Sequence, residues 1–311
     1  MQKMRKILAV FLLAAVTALS FVSCDGNESI ADDPGKIQLE TAAFLAQQVP
    51  EPSMNSVGGE WSVMALRKSS YELEDAYYQD YYDRLCEKTV ETKGKLSESR
   101  YTDYARVCLA LCAIEKDATD VEGYDLMRPA DEVAFVTQQG INGPVYALIA
   151  ANVCGYELKS EQRYLTYILD SELEQGGFVL DGTMQDADVD ITAMVLQALS
   201  FYQQDAEVKQ TIDRSVDKLA ELLQQQGGDT SAESVAQTML ALTSLGIDPL
   251  SDERFTIADQ NLGDALMTFR TEEHGFSHEA GEETNLMATE QALCALDALV
   301  LYQEGKTFYE R

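Results

Sequence analysis

Histidine is nearly missing from this sequence: His274 and His278 are the only two in 311 residues. Zinc sites draw on converging His and Cys ligands. No Cys-x-x-Cys accompanies this pair, so the sequence predicts no metal. Positive charge is also scarce, with 23 Lys and Arg against 53 Asp and Glu. Affinity for nucleic acid comes from neutralising phosphates with Lys and Arg, which excludes nucleic acid as a partner. There is no P-loop, no dinucleotide fingerprint and no Ser/His/Asp arrangement at recognisable spacing. Six prolines in the whole chain leave few helix breakers. After the first two dozen residues no second long apolar run occurs.

That first run marks the address. Lys3, Arg5 and Lys6 precede an uncharged apolar stretch, residues 7–21. A membrane span needs roughly 20 such residues, so this run matches a signal-peptide core instead. It leads into Phe21-Val22-Ser23-Cys24, which resembles the lipobox of bacterial lipoproteins, although leucine is usual where Phe21 stands. The resemblance implies a signal peptide over residues 1–23, acylation of Cys24, and attachment to the cell membrane or surface through lipid. The alternative is an ordinary secretory signal with an incidental cysteine. Residues 24–36, acidic and closed by Pro34-Gly35, read as a flexible tether. Loss of the three basic signal residues takes the formal charge from −30 to −33.

Residues 37–311 read as one domain. The five cysteines beyond Cys24, at 86, 108, 112, 154 and 294, are odd in number and scattered, which argues against a disulfide framework. Cys108 and Cys112, one helical turn apart, read as small packing residues.

A segment of small and apolar residues ending in Ala-Leu recurs along the chain: 61–66, 104–111, 143–148, 192–199, 235–242 and 289–296. From Ala65 to Ala295 the five intervals average 46 residues, the size of two helices with their connections. Glycine turns precede several copies, at Gly58-Gly59, Gly140, Gly176-Gly177, Gly227-Gly228 and Gly275. Between copies, residues 72–93 and 208–225 carry apolar residues on one face only, the mark of a solvated helix. The repeated helices are apolar nearly all round, as for helices covered on both sides. Together these patterns predict an all-α domain: a closed ring of about six helix hairpins, six inner and six outer.

Residues 176–199 (GGFVLDGTMQDADVDITAMVLQAL) and 275–296 (GFSHEAGEETNLMATEQALCAL) resemble repeats of the prenyltransferase and squalene-oxidase family. The resemblance covers roughly residues 38–305 and implies an α/α toroid. Members include protein prenyltransferase β subunits, terpene cyclases, complement thioester domains and cobalamin carriers, so the motifs specify fold more than activity. The style of the Ala-rich helices is closest to the cobalamin carriers, which makes a corrinoid the sharpest ligand the resemblance implies. Those carriers clamp the corrinoid with a further β domain, which has no counterpart here. The cyclases' Asp-x-Asp-Asp acid motif is broken at Asp186-Ala187-Asp188-Val189-Asp190, and no thioester Gly-Cys-Gly-Glu-Gln run occurs.

If the inner helices run one way, their N-termini share one mouth, and polar residues do cluster at those starts. Glu60, Asp103, Asn142, Asp186, Asp188, Asp190, Ser231, Glu233, Glu283 and Asn285 are the set. Their ordinary role is capping and compensation of helix dipoles. Their functional role would be a polar ligand rim, walled by Trp61, Tyr101, Tyr104 and Tyr146, that favours cationic or hydroxyl-rich ligands. The expected protein is a binding module for a small molecule or surface partner, without catalysis. The alternatives are an enzyme on isoprenoid or polysaccharide substrates, whose chemistry paired carboxylates would serve, and a purely structural module with a filled centre.

Overall fold

The computed structural model describes residues 29–310. The signal peptide and Cys24 lie outside the described residues. Among the described residues the chain is mostly helical, and no helix is long and apolar enough to cross a membrane. Its twelve α-helices, in chain order, are α1 (Pro34–Gln48), α2 (Trp61–Lys68), α3 (Asp75–Thr92), α4 (Tyr101–Ala113), α5 (Val133–Val136), α6 (Asn142–Cys154), α7 (Glu161–Asp170), α8 (Val189–Leu199), α9 (Ala206–Gln226), α10 (Ala232–Ser244), α11 (Leu262–Met267) and α12 (Leu286–Gln303). One two-stranded hairpin, β1 (Thr256–Ile257) with β2 (Gln260–Asn261), is the single sheet described.

Each Ala-Leu segment falls within an even-numbered helix. These six helices pack in sequence, α2 on α4, α4 on α6, α6 on α8, α8 on α10 and α10 on α12, and α12 returns to α2. Helices α7, α9 and α11 pack on α6, α8 and α10, while α1 sits against α12 and α2. Burial follows the sequence pattern. In α10 every residue except Gln237 is buried, whereas α9 buries Val208, Ile212, Val216, Leu219 and Leu223 along one face.

The starts of these helices are specified locally. Asp188, Ser231 and Asn285 cap α8, α10 and α12 by accepting from the backbone N–H groups of Ile191, Ser234 and Ala288. Such caps contribute about 1 kcal/mol each. The two segments quoted for the family resemblance share a further device. The N–H of Phe178 donates to Thr192 Oγ1 (3.0 Å), and that of Phe276 to Thr289 Oγ1 (2.9 Å). Both rings are fully buried. The preceding glycines are required: Gly177 has φ +76°, and a Cβ on Gly275 would stand 2.4 Å from Thr284.

Two expectations change. Residues 29–36 do not behave as a tether: Ile30 is fully buried, Ser29 Oγ donates to Asp264 (2.8 Å), and Asp33 caps α1 at Pro34. An aspartate-proline pair is a helix start, and here that signal outweighs acidity. Cys112 is not a packing residue either. It forms a disulfide with Cys154, joining the C-terminal ends of α4 and α6, while Cys108 is buried as expected. One repeat separates the two bonded cysteines, which is why linear spacing alone conceals the pair.

Candidate site at the helix N-termini

Cross-links between neighbouring helix starts place all six at one end of the molecule. Glu290, near the start of α12, accepts from Gly58 N (3.0 Å) and from Ser62 Oγ at the start of α2. Glu60, just before α2, meets Arg106 of α4 at 3.4 Å. Thr102 of α4 donates its backbone N–H to Gln139 (3.0 Å), just ahead of α6. Ile141 N donates to Leu180 O in the loop that leads to α8. Glu233 of α10 pairs with His278 Nδ1 (2.8 Å) in the loop before α12, and Ala232 N donates to His278 O. The opposite ends are linked likewise, through the disulfide and through Asn152 to Tyr202 (2.9 Å).

Six helix N-termini gathered in this way each carry a partial positive charge of about half a unit, which accounts for the carboxylates around them. Those carboxylates divide into two groups. Asp188 is a partly exposed cap, as is the uncharged amide Asn285 beside the set. Glu60, Glu233 and Glu290 are buried, with Asp190 mostly so. Burial pushes the Glu60 carboxyl up to about 7, against the opposing pull of Arg106. Burial likewise pushes Glu290 up to about 7, against its hydrogen bonds from Ser62 and Gly58. Asp190 is raised by burial too, with Ser234 opposing and the neighbouring Asp188 and Glu233 reinforcing. His278 is raised by its bond to Glu233. Four acceptor atoms in this region are buried without a partner: Asn142 Oδ1, Asp190 Oδ1, Glu233 Oε1 and Glu290 Oε2.

The residues singled out in the sequence separate clearly. Asp103, Asn142, Asp188, Asp190, Glu233 and Asn285 stand at helix starts around this end. Trp61 and Tyr146 meet edge to face with centroids 6.2 Å apart, and Tyr146 OH reaches Met194 Sδ. Tyr101 and Tyr104 do not wall the mouth. Only 1 % and 4 % exposed, they pack on Phe135, and Tyr104 OH accepts from Leu96 N (2.9 Å). Helical spacing turned them into the contact between layers. Asp186 lies in the exposed loop before α8 and makes no hydrogen bond among the described residues. Among those residues no group of three or more His, Cys, Asp or Glu side chains could hold a metal.

Sequence reasoning overlooked Arg106, Ser62 and Glu290: Arg106 pairs with Asp103 three residues before it and with Glu60 46 residues away, and Glu290 holds Ser62 and Gly58, 228 and 232 residues away. It also overlooked the chain's last described residues. Tyr309 is buried and donates to Gln197 Oε1 (2.7 Å); Gln197 bonds Gln237 (2.7 Å) and Gln237 bonds Gln291 (2.9 Å). These side chains tie the last described residues to α8, α10 and α12. Beside Glu60 and Arg106 a cleft of about 750 Å³ opens between α4 and the segment ahead of α2, lined also by Asn55, Ser56, Asp103 and Gln139. A cleft of about 820 Å³ at the opposite end borders the disulfide. Its cations Arg67, Lys68 and Lys116 are engaged with Glu115, the carbonyl of Glu310 and Gln79, and neither cleft is lined by the four unpartnered acceptors. No protein-family model matches the chain, and no curated protein matches it.

Proposed function

We propose that this protein is an exported, lipid-anchored binding module, built as an α/α toroid of six helix hairpins, that takes a small ligand at the end where the six inner helices begin. The closed order of helix packing supports the toroid. The lipobox-like Phe21-Val22-Ser23-Cys24 supports the anchor. The disulfide supports export, because such bonds persist in oxidising compartments.

One observation carries the ligand reading. Asn142, Asp190, Glu233 and Glu290 each leave a buried oxygen without a donor around the same end. An unpaired buried acceptor costs about 1–3 kcal/mol, and a ligand offering N–H or O–H donors relieves it. On this reading the ligand occupies the rim. A bulky corrinoid, the ligand the family resemblance implies, would have to lie across that rim. The enzymatic alternative draws on Glu60 and Glu290, since carboxyls with a pKa near 7 suit general acid–base chemistry.

The test is a thermal-shift screen of the mature chain with corrinoids, amines and saccharides, alongside a variant carrying Asp190→Asn and Glu233→Gln. A ligand at 100 times its Kd stabilises by about 2.7 kcal/mol, and the variant should lose part of that shift. The reading fails if nothing in the screen shifts the wild type and protein isolated from its native membrane carries no small molecule by mass spectrometry.

A further inference from the structure

The cleft beside Glu60 is walled by the segment ahead of α2 together with α3 and α4. In a chain with more than two acids for each base, Lys88, Arg100 and Arg106 here outnumber Glu60 and Asp103. Arg106 is the fixed member. Its side chain is 14 % exposed, and its guanidinium is held by Glu60 (3.4 Å), Asp103 (2.9 Å) and the carbonyl of Thr102 (3.5 Å). Three of its five N–H groups are thereby engaged, leaving two for a ligand. A guanidinium keeps its charge in such a setting and offers planar, paired donors suited to a carboxylate.

The remaining walls are not those of a simple anion site. Asn55, Ser56, Thr102 and Gln139 offer hydroxyl and amide groups that both donate and accept, and Met54 and Val57 supply an apolar flank. A volume of about 750 Å³ lies within the roughly 300–1,000 Å³ usual for small-molecule pockets. One fixed cation, several two-way hydrogen-bonding groups and an apolar flank describe a ligand with many hydroxyls, one carboxylate and a C–H face. We infer that this cleft binds an acidic oligosaccharide of the uronate type, with the sugar carboxylate on Arg106. The inference rests on the reading of this end as the ligand site and names the ligand class. It also reverses the expectation that the acidic rim favours cations, because a guanidinium keeps its charge whereas burial favours the neutral form of Glu60 beside it.

Glu60 competes with the ligand for Arg106. Facing its carboxyl are Arg106 and Asp103 from α4 and Tyr81 from α3; Glu290 of α12 holds Gly58 and Ser62 on either side of it, while Arg100 and Lys88 stand at the outer edge. With the Glu60 pKa near 7, acidification neutralises the competitor while a sugar carboxylate, titrating near 3.5 as an α-carboxyl does, stays charged. Affinity therefore rises as pH falls. If protonated Glu60 is the competent form, linkage gives about a tenfold gain from pH 8 to pH 6.

The experiment is isothermal titration calorimetry of the mature protein with trigalacturonate, with cellotriose as the neutral counterpart and acetate as the bare carboxylate. Trigalacturonate should bind at pH 6, weaken about tenfold by pH 8, and exceed both controls by at least tenfold. Glu60→Gln should retain binding and lose the pH dependence. Arg106→Gln should lose at least tenfold in affinity, and Gln139→Ala, at the cleft edge, should weaken binding without altering its pH dependence. Should Arg106→Gln not fold, Arg106→Lys keeps the charge, removes the planar fork, and should still weaken trigalacturonate more than acetate. Equal binding of cellotriose, or binding indifferent to Arg106 and Gln139, overturns the inference. If trigalacturonate instead loses affinity only with Asp190→Asn and Glu233→Gln, the ligand end stands and this cleft falls. If no ligand responds to any variant at this end, both fall.

Discussion

Replacing Glu290 by glutamine should make the protein more stable at pH 8 than at pH 5 relative to wild type. The carboxyl is 1 % exposed, accepts from Gly58 N and Ser62 Oγ, and has one oxygen without a partner. Its pKa rises from 4.5 to about 7 on folding, so the folded state holds a proton that the unfolded chain has released. Where the folded state binds more protons, stability falls as pH rises. The penalty begins near pH 4.5, grows through the interval up to 7, and is complete above it. At about 1.4 kcal/mol per unit, ionising Glu290 costs about 3 kcal/mol in full, and about 2–3 kcal/mol of that accrues between pH 5 and pH 8. Glutamine keeps the acceptor for Gly58 and Ser62 and carries no charge, so the variant escapes this term. Urea unfolding at both pH values, followed by far-UV circular dichroism with equal m-values, measures it. Any constant packing cost of the substitution cancels in the difference between the two pH values. A stability difference between variant and wild type that stays the same at pH 5 and pH 8 refutes the reasoning.

Tyr309→Ala removes a buried ring and strands Gln197 Oε1, so unfolding free energy should drop by about 3–5 kcal/mol, as for other large aromatic truncations; a loss below 1 kcal/mol in urea titration would place the tail outside the core. Cys112→Ser with Cys154→Ser opens a loop spanning 42 residues, and loop-closure entropy sets the expected loss near about 4 kcal/mol. Reductant should lower the wild-type midpoint and leave the double variant unchanged. Cys24→Ser should abolish incorporation of labelled fatty acid in the native host, whereas persistent labelling would move the anchor elsewhere.

The helices were legible because their signal is local and repeated. Small residues at helical spacing closing on Ala-Leu mark α2, α4, α6, α8, α10 and α12, and glycines at positive φ mark the turns before α2, α6, α8 and α10. The one-faced pattern of Val208, Ile212, Val216, Leu219 and Leu223 identified α9 as a solvated helix, and that is the face it buries. The site was legible only as a set of helix starts. Arg106 sits within Tyr-Ala-Arg-Val and reads as an exposed charge, because its partner Glu60 lies a full repeat away. Glu290 reads as one more polar residue in Thr-Glu-Gln-Ala, yet its helix turns it inward against Gly58. Tyr101 and Tyr104 pack on Phe135, a contact that their own stretch of sequence does not announce. A signal for the disulfide was present, since Cys112 and Cys154 close consecutive repeated helices. It becomes visible once those helices are known to be parallel neighbours.

That parallel arrangement also explains why unusual chemistry collects at one end. Six helix starts attract carboxylates, and each dipole favours the ionised form by about 0.3–1 kcal/mol at exposed positions. Exposed acids such as Asp188 remain ordinary caps. The same helices approach closely, so a carboxylate one turn in, as at Glu290, or just ahead of the helix, as at Glu60, is drawn out of water. There the cost of ionisation is about 3 kcal/mol and exceeds what a dipole returns, which leaves groups that exchange protons near neutrality. At the opposite end the disulfide joins α4 to α6, Phe308 and Tyr309 are buried, and the carbonyl of Glu310 accepts from Lys68. The end where the helices begin therefore gathers several protonatable groups short of partners, which is the physical ground for the ligand reading proposed above.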